Sequence, residues 1–312
     1  MKSGSKLERI LKSGRFALTG ELGPPRGADA EAVRKKSRLL AGMVDAVNIT
    51  DNQTAVVRMS SLGASVIAIQ EGLEPVYQMV CRDRNRIAMQ SDILGAAALG
   101  VRNILCLSGD HQKFGDHPGS KKVFDLDSVQ LIAMVKAMRD DGRFQSGPEI
   151  TVPPKMFIGA AANPFAEPHA FRVLRLAKKV AAGADFIQTQ CVYNMERFQA
   201  WLAQAHDMGL TEKVYILAGV TPLKSLGMAR YMKNNVPGMD VPQELIKRMQ
   251  GVEKKDQARE GIAICCEQIQ QMREMKGLAG IHLMAIEWEH RVPEIVKQAE
   301  LLPRPEPEPE QA

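Results

Sequence analysis

The sequence predicts a single-domain α/β protein, a (β/α)8 TIM barrel over residues 1–302. Three observations carry that prediction. Eight short apolar runs alternate with stretches of helical periodicity, and this alternation implies parallel strands joined by helical crossovers. Each run ends in a polar cluster, as strands do where their C-terminal tips build a ligand-binding face. No Gly-rich dinucleotide fingerprint follows any of the runs, which counts against the rival arrangement, a doubly wound sheet.

The first run begins at residues 16–18 and leads into Gly20-Glu21-Leu22-Gly23-Pro24-Pro25-Arg26. The glycine and the proline pair stop regular structure, so Glu21 is expected at the tip of a strand, braced by a stiff turn. An amphipathic helix is predicted over 29–42. The second strand, 46–49, ends on Thr50-Asp51-Asn52-Gln53-Thr54, and a helix follows over 59–70. The third strand, 75–80, precedes a helix over 87–99 that Gly100 closes. The fourth, 103–107, ends on Ser108-Gly109-Asp110 and opens a polar loop to about residue 127, long enough to suggest function. A helix over 128–138 and the fifth strand, 155–162, lead to Asn163-Pro164-Phe165. A helix over 168–182, closed by Gly183, precedes the sixth strand, 185–188, which ends on Thr189-Gln190-Cys191. After a helix over 195–208 comes the seventh strand, 214–217, ending on Gly219-Val220-Thr221-Pro222. Helices over 224–232, 242–249 and 256–275 separate it from the eighth strand, 280–284, and a closing helix spans 292–301. The tail, 303–312, alternates Pro and Glu and is expected to be a disordered, solvated end.

Composition narrows the function classes. The chain has 312 residues, 45% hydrophobic and 25% charged, as an ordinary globular protein does. Its net charge of +5 is spread rather than blocked, and aromatics make up 5%, so nucleic acid is a poor partner. A modest positive field suits an anionic substrate or cofactor. Five cysteines, no CxxC and no apolar leader point to reduced thiols and a cytoplasmic setting, and no apolar run is long enough to span a bilayer. The pairs Asp110-His111 and Asp116-His117 could ligate a metal, but nothing supports a complete site, so none is expected. Glu287, Glu289 and His290 follow the last strand, either lining the mouth or sitting on its rim.

Collected at the strand tips are Glu21, Thr50, Asp51, Asn52, Gln78, Asp110, Asn163, Gln190 and Thr221. Carboxylates and amides of this kind suit a polar heterocycle with several donors and acceptors. Burial favours the protonated form of a carboxyl group, which suits one of them to general acid work.

At this point the chain resembles the methylenetetrahydrofolate reductases. The resemblance rests on the first-strand motif quoted above, Val47-Asn48-Ile49-Thr50, Leu105-Cys106-Leu107-Ser108-Gly109-Asp110 and Ala161-Ala162-Asn163-Pro164. Lys179-Val180-Ala181-Ala182-Gly183-Ala184-Asp185 with Thr189-Gln190, and Gly219-Val220-Thr221-Pro222, complete it in order. It covers roughly residues 5 to 300. The resemblance implies a barrel that holds a flavin at its C-terminal face and reduces 5,10-methylenetetrahydrofolate to 5-methyltetrahydrofolate. It implies that Glu21 is the general acid that protonates N10 of the substrate. Asp110 would lie between flavin and pterin and stabilise the cationic methylene. Gln190 would contact folate, and Lys179 would hold the flavin phosphate. Thr50, Gln78, Ser108, Gly109 and Asn163 fall at flavin-contacting positions, and Leu226 at a substrate-contacting one.

Several positions depart from the family pattern. Leu22-Gly23 replaces a Phe-Phe pair, Ser108 an arginine that binds phosphate, Gln78 a histidine, Asn163 a tyrosine and Leu226 a phenylalanine. These departures leave FAD and FMN both open, and with them NAD(P)H or a partner redox subunit as electron donor. They resemble the divergent reductases of acetogenic anaerobes, which serve the acetyl-CoA (Wood-Ljungdahl) pathway. That resemblance implies a hetero-oligomer with a zinc- or iron-sulfur-carrying subunit. Two other functions fit the same residues: a pterin/corrinoid methyltransferase barrel, and a non-catalytic barrel subunit of a redox complex.

Overall fold

The computed structural model describes residues 1–306. Eight strands, β1 (Ala17–Leu22), β2 (Ala46–Ile49), β3 (Pro75–Val80), β4 (Asn103–Leu107), β5 (Phe157–Ala162), β6 (Phe186–Cys191), β7 (Tyr215–Val220) and β8 (Gly280–Leu283), close into a barrel in chain order. Every pairing is parallel, including β8 on β1. The (β/α)8 barrel expected from the alternation is therefore the observed fold. Its outer ring comprises α2 (Ala30–Leu40), α3 (Ser61–Gln70), α4 (Arg86–Ala98), α5 (Ser128–Lys136), α6 (Arg172–Ala182) and α7 (Met195–Asp207). It is completed by α8 (Leu226–Asn235), α9 (Gln243–Gln250), α10 (Gln257–Arg273) and α11 (Val292–Gln298). Side-chain caps start many of these helices; Asp127 and Gln130 form a reciprocal capping box at α5.

One helix has no counterpart in the sequence reading. The short α1 (Lys6–Lys12) is capped by Ser5 and places Leu7, Ile10 and Leu11 under the barrel. Those side chains meet Ala17, Ala46, Val76, Leu105, Phe157, Phe186 and Leu217 from the strands. A helix this short is marginal alone, so it forms because it plugs the barrel floor.

Alternate residues of each strand face inward, and register brings them into tiers. The lowest tier is the apolar floor. Phe186 fills its centre because its neighbour on β5 is Gly159; a Cβ there would lie 2.3 Å from the Phe186 ring. The next tier up is polar: Thr19, Asn48, Gln188 and His282 are all buried. Above it the barrel opens. The outward faces of the strands pack on the helices in the main hydrophobic core.

Two boundaries matter for the site. β1 extends through Leu22, so Glu21 stands inside the strand rather than beyond its end. β6 runs three residues past the predicted stop, to Cys191, and its register on β7 shifts between Gln188 and Cys191. Such an irregularity re-aims side chains that a regular strand would turn away.

The tail is expected to stay solvated, but Arg304 departs from that expectation. Its guanidinium, with a side chain 7% exposed, pairs with buried Asp45 at 2.5 Å and donates to the carbonyls of Leu301 and Phe16. A buried aspartate needs a cationic partner, and the chain end supplies it. The rest of the tail, 307–312, lies outside the described residues.

Candidate functional site

The C-terminal mouth of the barrel holds a cavity of about 350 Å³. Of the residues singled out in the sequence, the cavity gathers Glu21, Gln78, Ser108, Asn163, Lys179 and Gln190. They reach it from β1, β3, the ends of β4 and β5, α6 and β6.

Beneath Glu21 lies a continuous buried network. Asn48 and Gln188 exchange two amide hydrogen bonds, 2.6 and 3.0 Å long. The second hydrogen of the Gln188 amide goes to Thr19 Oγ1 at 3.0 Å. Thr19 Oγ1 therefore accepts from Gln188 and has one proton of its own to give. His282 Nδ1 lies 2.9 Å away, whereas the carbonyl of Ile281 lies at 3.5 Å. The Thr19 hydroxyl thus links the Gln188 amide to the His282 ring, whose other nitrogen, Nε2, points toward Glu21. That nitrogen is 3.8 Å from Glu21 Oε2. The Glu21 side chain is 9% exposed, and His282 is its only ion-pair neighbour among the described residues. The carboxyl group lines the cavity, and no arginine or lysine pairs with it among the described residues.

The wall beyond β4 has the opposite character. Arg172, Arg175 and Lys179 lie along one face of α6 and all line the cavity, with the Ser108 and Ser128 residues nearby. Lys179 is 7% exposed and donates to the carbonyl of Ala161. Burial, with the neighbouring Arg175 charge adding to it, lowers its pKa to about 8. Between the two polar walls run Leu105, Cys106, Leu107, Ala161, Ala162, Leu176 and Met284, an apolar slot. A lining that combines a carboxyl group, amides, apolar side chains and cations suits a heterocycle carrying an anionic group.

The cavity thiol is inert. Cys106 is buried, and burial pushes its thiol well above the ordinary range; Cys191 is pushed up to about 12 in the same way. Neither supplies a thiolate nucleophile.

Four expected site residues stand elsewhere. Asp110 is exposed and does not line the cavity; its carboxylate accepts from the Thr54 backbone N–H at 3.1 Å. The turn at Gly109, with φ +88°, carries the chain outward before Asp110 is reached. So Glu21 and Asp110 do not face each other across this cavity. Gly109 itself packs on Val80 and Arg82 rather than on the cavity. Thr50 is buried beneath Gly23, outside the cavity lining, and its hydroxyl lacks a hydrogen-bond partner among the described residues. Leu226, at the start of α8, packs into a satellite cluster with Cys191, Tyr193 and Met232. In the β4–α5 loop, Asp116 pairs with His117 at 2.8 Å and with Arg26. On the far rim, Glu289 is buried and holds Lys36 at 2.6 Å, so it serves the rim and not the mouth.

The sequence reading missed His282, the Asn48–Gln188 pair as site residues, and the two arginines of α6. A signal existed for the first: His282 is the one titratable residue of β8, in phase with the inward positions. Asn163 is spent partly on its own turn, accepting from the N–H groups of Phe165 and Ala166.

The chain is thus a (β/α)8 barrel with a partly apolar, acid-and-amide pocket at its C-terminal mouth, the face on which such barrels carry their sites. The family model for methylenetetrahydrofolate reductase matches residues 6–300. The chain belongs to the methylenetetrahydrofolate reductase family. Among curated relatives, a probable methylenetetrahydrofolate reductase (NADPH) of Caenorhabditis elegans is 23% identical over 308 residues, covering 94% of this chain and 43% of that protein. Methylenetetrahydrofolate reductase 2 of Schizosaccharomyces pombe is 25% identical, covering 72% of this chain and 35% of that protein. Methylenetetrahydrofolate reductase (NADH) 1 of Arabidopsis thaliana is 23% identical, covering 92% and 48%. The chain thus spans less than half the length of these relatives. Among solved structures, an uncharacterized protein from Clostridium thermocellum that binds two copies of 5-methyl-5,6,7,8-tetrahydrofolic acid superposes with a TM-score of 0.62. It is 15% identical, with 95% of this chain and 99% of that one covered, and shows a shared fold.

Proposed function

We propose that this chain is a flavin-dependent methylenetetrahydrofolate reductase that converts 5,10-methylenetetrahydrofolate to 5-methyltetrahydrofolate in the cytoplasm. Family membership supports the reaction class. The observation that carries the assignment is Glu21, a nearly buried carboxyl group at the open end of the barrel with an oriented imidazole behind it.

The residues present fit a flavin. The apolar slot between β4, β5 and α6 accepts a flat ring system, Gln78 and Gln190 offer amides to its polar edge, and Lys179 offers a cation to its phosphate. Ser108 and Asn163 line the same wall. When bound, the flavin supplies the hydride that the reaction consumes. The protein supplies the rest. Glu21 donates a proton to N10 of the substrate, which opens the five-membered ring and leaves the methylene carbon electrophilic. His282 stands behind the Glu21 carboxyl, with Nε2 3.8 Å from Oε2, and the Thr19–Gln188–Asn48 chain fixes the His282 ring. The Gln190 side-chain carbonyl accepts from the Cys191 N–H at 3.1 Å, and its amide N–H groups, at the cavity wall, are left to hydrogen-bond the pterin. Electrons come from NAD(P)H or from a partner redox subunit.

The test is anaerobic. The purified protein is reduced until its flavin bleaches, and 5,10-methylenetetrahydrofolate is added. Recolouring with formation of 5-methyltetrahydrofolate supports the reductase; a colourless protein that passes a folate methyl group to a corrinoid supports the methyltransferase alternative. Glu21→Gln should slow recolouring by about a hundredfold or more. An unchanged rate removes Glu21 from the mechanism and points to the scaffold reading.

A further inference from the structure

We propose that Arg197, which lies outside the cavity, is a positioning residue: it clamps the connection between α8 and α9 onto the β5–α6 loop and so fixes the Asn163 amide that a ligand in the cavity meets. This rests on the reading of the cavity as the ligand site and gives a role to a residue that has none so far.

Asn163 is held from two sides. Its Oδ1 accepts from the backbone N–H groups of Phe165, at 2.9 Å, and Ala166, at 3.2 Å. A backbone N–H is only a donor, so these two bonds fix which end of the carboxamide is oxygen and leave Nδ2 as the free donor. Against Nδ2 lies Gly238, in the connection 236–242; a Cβ there would stand 2.3 Å from Nδ2 and 3.3 Å from the Ala166 Cβ. Gly238 also has φ +75°, so both the turn and the close approach call for glycine. The connection is thus a backstop for a side chain of the cavity wall.

The clamp that holds the backstop is on α7. Two residues past Gly238, Asp240 accepts from Asn194 Nδ2 at 3.0 Å and from the Arg197 guanidinium. Asn194 is itself fixed, because its Oδ1 caps α7 by accepting from the Arg197 N–H at 3.0 Å. On the other side of the same guanidinium, Nη2 lies 2.6 Å from His169 Nε2, and the central carbon sits 6.0 Å from the centre of the Phe165 ring. His169 pairs in turn with Glu167 at 2.7 Å. One planar fork therefore touches the α8–α9 connection and two residues that follow Asn163, one of which donates to Asn163. Next to Asp240, Val241 is buried in the satellite cluster with Met232, Ile246 and Met249, which seats the connection from below. The apolar anchor keeps the connection folded, and the Arg197 fork sets how closely it presses on Asn163.

Two variants separate the clamp from the fold. Arg197→Ala removes it whole; Asp240→Asn weakens the tie to the connection and leaves Arg197 on Phe165. Amide hydrogen exchange of the full chain without ligand reads the Asn163 carboxamide, because Phe165 and Ala166 donate to it. Both variants should exchange these two amides at least about threefold faster than wild type, with the barrel strands unchanged. Ligand binding is then followed with two probes, FMN by fluorescence quenching and 5-methyltetrahydrofolate by calorimetry. Arg197→Ala should weaken by about three- to tenfold whichever probe Asn163→Ala weakens, and should have no further effect in the Asn163→Ala background. Equal losses in both backgrounds, wild-type exchange at Phe165 and Ala166, or probes that bind but are indifferent to Asn163→Ala would each overturn the proposal. A wild-type chain that binds neither probe removes the reading of the cavity, while the exchange rates at Phe165 and Ala166 still decide for or against the clamp.

Discussion

The imidazole of His282 bridges two residues of one strand: its Nδ1 lies 2.9 Å from Thr19 Oγ1 and its Nε2 lies 3.8 Å from Glu21 Oε2. Thr19 and Glu21 are two apart on β1, so both face inward, and register sets His282 beside Thr19. His282→Leu should therefore loosen the Glu21 carboxyl and slow the folate half-reaction by about ten- to a hundredfold. His282→Gln keeps a polar side chain beside Glu21 and should recover part of the rate. Stopped-flow flavin recolouring reads both; equal rates for Leu, Gln and wild type would remove His282 from any part in orienting Glu21.

Gln188 holds the polar tier together, and its loss should show in stability. Its amide serves both Asn48 and Thr19. Gln188→Leu strands those groups inside the barrel, at a cost of about 2–4 kcal/mol. The denaturation midpoint of the apo protein measures it. A variant as stable as wild type would mean that water takes over the bonds.

Stability should also fall in strong acid because of Glu8. Burial alone would raise its pKa, but the backbone N–H groups of Lys2, Ser3 and Gly4, with Lys12, outweigh it and leave the pKa at about 2. The folded value lies below the ordinary 4.5, so the unfolded chain binds more protons between those limits. The contribution is present above pH 4.5, is lost as pH falls through about 2, and amounts to roughly 3 kcal/mol. Glu8→Gln should be less stable at pH 6 and show a flatter stability profile between pH 5 and pH 2, followed by circular dichroism at fixed temperature.

Arg304 ties the chain end to the barrel floor. Its partner Asp45 is fully buried and also accepts from the Leu18 N–H at 2.7 Å. Arg304→Ala leaves that charge without its cation and should cost about 3–5 kcal/mol. Asp45→Asn in the same chain should recover part of the loss. Additive effects of the two changes, measured as melting-temperature shifts in a double-mutant cycle, would show that the pair is not coupled.

The barrel is legible in the amino-acid order alone, because strand and helix periods are local and eight alternations leave one simple closure. That order also located Glu21, Gln78, Asn163 and Gln190, which lie in or at the ends of the apolar runs, whereas Ser108 and Lys179 were marked only by the family resemblance. Tertiary structure alone decided which of the marked residues meet. Asp110, Thr50 and Leu226 sit at the right ends of their elements, yet a turn at Gly109, the packing of Gly23 over Thr50 and the seating of α8 keep them from the cavity. The Asn48–Gln188–Thr19–His282 chain joins four strands far apart in sequence, and α1 and Arg304 take their places only because the closed barrel offers a floor to plug and an aspartate to neutralise. Periodicity tells which way a side chain faces; register and closure of the sheet decide what it faces.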